Sequence, residues 1–321
     1  MTKIDLITGT LGVGKTTFLR HYAQYFLRGG SRIAILENDF GAVNVDIMML
    51  RDLKSDRCKL EAVSGCNDPT CHRRRLRTQL IALGMQHFDR VLMEPSGIFD
   101  MDEFFDALFE PPLDRWFEIG SVLTVCDAQA QQTSTEQAEY LFASQAAYAG
   151  KLIVSKLTPE DEPETVCSRI LRHLQGAGEA IRCDRHFTAE DLLLKDWNTL
   201  TDADFAALSE AGYRRASYVK LFRMENIGSS VHYFMHIRFA PELTAQVIAE
   251  MFAAGGAVRR IKGALPTDSG WCRINATAET TETEPVPQAQ AVLIVIGDQV
   301  DRAAIDRVLA KFNTDPEYVS I

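Results

Sequence analysis

No stretch of this chain runs to eighteen consecutive apolar residues, so no segment reads as a membrane-crossing helix. At the amino end, Ile4–Ile7 is interrupted by Asp5 and passes straight into a glycine-rich loop, which is not the h-region of a signal peptide. The expectation is a cytoplasmic protein with no membrane partner. A cationic excess is missing as well: 34 Lys and Arg stand against 44 Asp and Glu, a net charge of −10. Phosphate backbones need a basic face, so no nucleic-acid partner is expected. A nucleotide could still bind locally, because backbone amides and one lysine can supply the charge. The seven cysteines, at 58, 66, 71, 126, 167, 183 and 272, are odd in number and scattered, which argues against a disulfide framework. There is no internal repeat and no terminal histidine-rich tract. What remains is an ordinary globular composition, 46% hydrophobic and 24% charged over 321 residues, long enough for two cores.

The organising stretch is Gly9-Thr10-Leu11-Gly12-Val13-Gly14-Lys15-Thr16-Thr17. It follows a strand-like run, Ile4–Thr8, and opens a helical period from Phe18 to Leu27, which is the setting that G-x-x-x-x-G-K-[ST] requires. Gly9, Gly12, Val13 and Gly14 would turn their N–H groups around a phosphate at a helix N-terminus. Lys15 would reach the β- and γ-phosphates, Thr16 would bind Mg²⁺, and Thr17 would bond a phosphate oxygen.

A second buried strand, Arg32–Leu36, ends in Glu37-Asn38-Asp39-Phe40-Gly41, with Asp46 close behind. Carboxylates beyond the carboxyl end of a strand in an open α/β sheet lie on the ligand edge, so they can reach Mg²⁺ or its waters, Asp39 being the candidate ligand. Residues 51–64 are polar and mixed. Then come Cys66, Cys71 and His72, a C-x₄-C-H spacing that fits part of a zinc-type site and leaves at least one ligand to come from elsewhere. Glu37 is the candidate counted with them. Arg73–Arg77 begins a helix with a solvated basic face.

A third strand, Phe88–Met93, runs into Glu94-Pro95-Ser96-Gly97. A carboxylate followed three residues later by glycine has the form of a nucleotide hydrolase's second switch: Glu94 would hold a metal-bound water, and the Gly97 N–H would sense the γ-phosphate. Pro95 has no N–H to offer. Ser121–Val125 and Lys151–Val154 read as further strands, with a helix to Tyr148 between them. Ser155-Lys156-Leu157-Thr158 stands where many GTP-binding proteins carry N-K-x-D. Lys156 keeps its place, but Thr158 cannot give the bidentate carboxylate that reads guanine. GTP is therefore expected with ATP not excluded, and Glu160 or Asp161 could substitute.

Alternating strands and helices predict a mostly parallel α/β domain over 1–185. A helical or irregular linker follows over 186–215, and a smaller α+β domain over 216–321, with a split β-α-β arrangement possible. In the latter, strands are expected at Tyr218–Met224, Val231–Phe239, Val258–Leu265, Trp271–Ala276 and Ala291–Ile296. Helices are expected at Pro241–Ala254 and Asp301–Phe312, and a loop at Ala278–Gln290.

Together, Gly9–Thr17, Glu37–Gly41 with Asp46, Gly65-Cys66, Glu94–Gly97 and the small terminal domain resemble the CobW-type GTP-binding metallochaperones, relatives of the urease and hydrogenase nickel-insertion GTPases. The resemblance implies a SIMIBI-class P-loop domain that binds Mg-GTP, hydrolyses it slowly with Lys15 and Glu94, and delivers zinc or cobalt to a recipient metalloprotein. In that family a Cys-x-Cys-Cys motif holds the metal. Here Cys66 matches its first ligand, extra residues precede Cys71, and His72 stands where the last cysteine would be. The alternatives are an ATP- or GTP-hydrolysing accessory factor that carries no metal, and a non-catalytic nucleotide- or metal-sensing module.

Overall fold

Ile33–Asn38 is buried at every position and carries no polar alternation, as a strand covered on both faces must be. In the computed structural model, the described residues are all but 39–45, 64–68, 98–100, 130–135, 223–228, 268–269, 279, 299 and 321. They form two compact units, 1–227 and 228–321.

The first unit runs β1 (Thr2–Thr8), α1 (Lys15–Arg28), β2 (Ile33–Asn38), β3 (Cys58–Val63), α2 (Pro69–Gly84), β4 (Arg90–Pro95), α3 (Met101–Phe109) and α4 (Leu113–Trp116). It continues with β5 (Phe117–Asp127), α5 (Glu136–Tyr148), β6 (Lys151–Ser155), α6 (Pro163–Ala180), β7 (Leu192–Leu193) and α7 (Asp202–Ser209). The sheet order is β3-β2-β4-β1-β5-β6-β7, and every pairing is parallel. Period-two alternation sorts the side chains. Ile7, Ile33, Ile35, Leu92, Leu123 and Ile153 pack with α1 and α7. Ile4, Leu6, Ala34, Leu36, Val91 and Met93 pack with α2 and α3 on the other face, and α5 and α6 cover that face beside β5 and β6.

The second unit has β8 (Ser229–Met235), α8 (Thr244–Ala254), β9 (Ala257–Thr267), β10 (Gly270–Ala276), β11 (Thr281–Val286), β12 (Val292–Asp298), α9 (Arg302–Phe312) and β13 (Val319–Ser320). Its order is β11-β10-β9-β12-β8-β13, and every pairing is antiparallel. β8 and β9 therefore run parallel with β12 between them, and β12 and β13 run parallel with β8 between them. These are two interlocked split β-α-β units in the order 2-3-1-4, a ferredoxin-like layout with the β10–β11 hairpin inserted.

Several local expectations change. Within 51–64, Cys58–Val63 is a strand, held by its pairing with β2. Thr281–Val286, expected in a loop, pairs residue for residue with β10 and is exposed at its other edge, which explains its polar composition. Residues 218–222 form no strand, and 223–224 lie outside the described residues. The stretch 186–215 supplies β7 and α7, and Phe205 and Leu208 of α7 enter the core under α1. Among the described residues no helix is long and apolar enough to cross a membrane.

One charge lies deep in the first unit. Asp5, fully buried on β1, is paired with Arg90 and accepts from the Tyr22 hydroxyl and the Ser121 N–H. Burial pushes its carboxyl up and the Arg90 charge pulls it back down. Arg90→Met should cost about 3–5 kcal/mol, because it strands the carboxylate. Urea unfolding should show this as a lower midpoint, with part of the loss recovered when Asp5→Asn is added.

Candidate functional site

Three glycines give the phosphate loop its shape: Gly9, Gly12 and Gly14 have φ of 141°, 78° and 101°, conformations that side chains resist. Gly14 is the N-cap of α1, and a Cβ there would lie 3.2 Å from the Trp197 ring. α1 then begins at Lys15 with the Phe18 N–H bonded to the Gly14 carbonyl. The first-turn N–H groups of an α-helix have no acceptor within the helix, and such a terminus suits an anion.

Against this loop stands Glu94, the penultimate residue of β4. Thr16 Oγ1 donates to Glu94 Oε1 at 3.1 Å, and Lys15 Nζ lies 3.9 Å from the same oxygen and 3.5 Å from the Thr10 carbonyl. All three side chains are buried, Glu94 being 6% exposed. Glu37 is its register partner on β2 and is 3% exposed. Two neighbouring carboxylates on one face, that of α1, form an acidic pair where a cation is the natural counterpart. Asp39 lies outside the described residues, and so does Cys66.

The sulfur and imidazole candidates belong to the other face. His72 is buried in the first turn of α2 and points the way of Leu76 and Leu80 into the α2 core. Glu37 is thus grouped with Glu94 rather than with His72. Cys71 is disulfide-bonded, and could ligate a metal only after reduction. No cluster of three or more His, Cys, Asp or Glu suited to a metal ion occurs among the described residues. Asn38, fully buried on the His72 side of β2, has neither amide atom hydrogen-bonded. Such a group costs about 1–3 kcal/mol and marks a place where structure has been given up for something else.

Gly97 lies directly on the phosphate loop, where a Cβ would come within 2.9 Å of Leu11 N. At the end of β6, Ser155 bonds its hydroxyl to the Cys126 carbonyl at 3.2 Å, and Lys156 pairs with Asp127 at 2.6 Å. The carboxylate of Asp161 takes both the N–H and the hydroxyl of Thr158, and also the Gln129 amide. These bonds lower its pKa and leave it engaged rather than presented to a base.

Two residues at the site gave no signal in the sequence. Trp197, in the loop after β7, donates its indole N–H to the Val154 carbonyl and sets its ring between Gly14 and Phe18. Gln145 of α5 bonds both Gly9 and Gly97. Neither belongs to a local motif, and both arrive by chain crossing.

Residues 3–182 match the family described as CobW/HypB/UreG, nucleotide-binding domain. The chain belongs to that family. Among curated proteins, this CobW/HypB/UreG member is 30% identical to the zinc chaperone YeiR of Escherichia coli (strain K12) over 50% of this chain and 49% of YeiR. It is 30% identical to the zinc chaperone YjiA of the same organism over 53% and 54% of the two chains. A third relative is the zinc chaperone CobW of Pseudomonas aeruginosa, 28% identical over 41% and 37%. The chain thus spans about half the length of the first two relatives. Among solved structures, Zn(II)-bound YjiA GTPase from E. coli aligns over 98% of this chain and 99% of its own, at 18% identity and a TM-score of 0.37.

Burial, reinforced by the charge of Arg75, pushes the His72 imidazole down to about 4. A histidine that folds as the neutral form adds stability above its unfolded value near 6.5, and loses that contribution as the pH falls toward 4. Melting temperature should therefore decline more steeply between pH 6.5 and 4 in the wild type than in His72→Phe, as measured by circular dichroism.

Proposed function

We propose that the protein is a GTP-binding metallochaperone of the cytoplasm. It would take up a nucleoside triphosphate with Mg²⁺ at Gly9–Thr17, hydrolyse it slowly, and couple the nucleotide state to holding a transition metal, zinc or cobalt, for a recipient metalloprotein. The observation that carries this reading is the meeting of Lys15, Thr16 and Glu94 at the mouth of a glycine loop, with Glu37 in register beside them. The names of the relatives, all zinc chaperones, support the cargo.

The oxygens of Thr16 and Glu94 already converge, so they fit a magnesium ion, with Asp39 as the further candidate. Bound there, the metal would neutralise charge on the β- and γ-phosphates. The chain's own groups do the rest. N–H groups from Gly12 to Thr17 would cradle the phosphates, Lys15 would exchange its carboxylate and carbonyl contacts for phosphate oxygens, and Glu94 would orient a water. Gly97, pressed on Leu11, is placed to sense the third phosphate, and Ser155 and Lys156 stand at the base end. With no separate general base among the described residues of the site, slow turnover is expected. Metal cargo would be held by Cys66, reduced Cys71 and His72; Glu37, on the α1 face beside Glu94, is left to the magnesium side. Because Thr158 carries no carboxylate, ATP remains an alternative nucleotide.

Calorimetry with Mg-GTP and Mg-ATP tests the first half. GTP should bind, and Lys15→Ala should weaken it by about 10–100-fold, the worth of a charge-assisted bond. The second half is tested on reduced protein titrated with zinc, with and without a non-hydrolysable GTP analogue. Zinc should bind more tightly with the analogue, and Cys66→Ala or Cys71→Ala should abolish that gain; equal zinc affinity in both conditions would refute the coupling.

A further inference from the structure

The phosphate loop and the Gly97 segment are joined by a side chain that belongs to neither. Gln145 is 1% exposed, its Oε1 accepts the Gly9 N–H at 2.9 Å, and its Nε2 donates to the Gly97 carbonyl at 3.1 Å. A primary amide offers an acceptor and a donor on one planar end, so the two loops are held at a set separation. The helix that carries it is pinned in turn. Thr124 Oγ1 donates to the Gln145 backbone carbonyl at 3.2 Å and lies 2.7 Å from the hydroxyl of Thr8, the residue before Gly9.

The contact reaches the site from the α5 side of the sheet, whereas Lys15, Thr16 and Glu94 meet on the α1 side. Gln145 therefore bonds none of the side chains that would meet a phosphate, yet it fixes both ends of the arrangement. Gly9 is turned toward α5, so its N–H is withdrawn from the anion. Gly97 is held by its carbonyl against Leu11, where there is no room for a Cβ.

We propose that Gln145 is a positioning residue that holds the Gly97 segment on the phosphate loop and so gives the site its preference for a third phosphate over two. This rests on the reading that a nucleoside triphosphate occupies the loop. Contacts to the first two phosphates come from Gly12 to Thr17, which Gln145 does not bond. Contact to the third depends on Gly97, which it does.

Gln145→Glu separates the two bonds when the titration is run at alkaline pH, where the buried acid is ionised: the carboxylate still accepts from Gly9 but has no hydrogen for the Gly97 carbonyl, whereas the acid protonated at lower pH would restore that bond. Full-length wild type and Q145E should be titrated by calorimetry with Mg-GDP and with a non-hydrolysable GTP analogue. The expected result is unchanged GDP affinity and analogue affinity weakened about tenfold, as for losing one buried bond. Equal weakening of both ligands, or no change in either, would overturn the proposal. If Q145E does not fold, as judged by its melting curve, Gln145→Met removes both bonds at similar volume. The analogue alone should suffer; equal loss of both ligands would again count against the proposal. Should the wild type bind neither ligand, the nucleotide reading itself fails, and this inference with it.

Discussion

Carboxylates taken out of water need a cation or several donors to answer them, and this protein buries two side by side. Glu37 and Glu94 sit opposite each other on neighbouring parallel strands, where like charges destabilise. The groups that make Glu94 tolerable are those of the loop: the Thr16 hydroxyl and the Lys15 ammonium. Lys15 of the glycine loop thus serves as a counter-ion to the Glu94 carboxylate. On the proposed reading, a triphosphate that drew Lys15 toward itself would weaken that pairing, and a divalent cation beside Glu94 would offset the loss. Anion and cation would then each favour the other.

The alternation of β2 extends that response across the sheet. Glu37 faces α1 and the loop, while Asn38, one residue later, faces α2 and lies on the side where His72 is buried. A shift of the end of β2 would act on both faces at once, since neighbouring residues on one strand cannot move independently. Coupling between a nucleotide on one face and a cargo near α2 therefore needs no long pathway. It needs one strand end whose consecutive residues serve different sites.

Much of this was legible because its causes are local. The glycine loop, the acids at strand ends and the strands with unbroken apolar runs all announce themselves within ten residues, and the parallel sheet follows from their alternation. β3 and β11 were hidden for the opposite reason. Cys58–Val63 and Thr281–Val286 are strands by virtue of their neighbours, β2 and β10, and their own composition carries little pattern. Trp197 and Gln145 were hidden more completely. Each acts on residues far away in sequence, Gln145 bonding a glycine 136 positions earlier, and no spacing rule can see such a contact. The split arrangement of the second unit was legible only as a suggestion; the strand order turns it into two interlocked crossovers.

Base recognition is where local reading and structure bear on each other most closely. A guanine-reading carboxylate must be positioned and unspent. Around the end of β6, Asp127 is paired with Lys156 and Asp161 is bonded to Thr158 and Gln129. Among the described residues, that end also carries the lysine stem, the exposed Glu160 and the Trp197 ring, which packs beside Gly14. Apolar and π surfaces hold a purine by area and stacking, and they discriminate weakly between guanine and adenine. The replacement of aspartate by Thr158 is therefore more than a changed letter. Thr158 donates both its N–H and its hydroxyl to Asp161, which engages that carboxylate within a local turn.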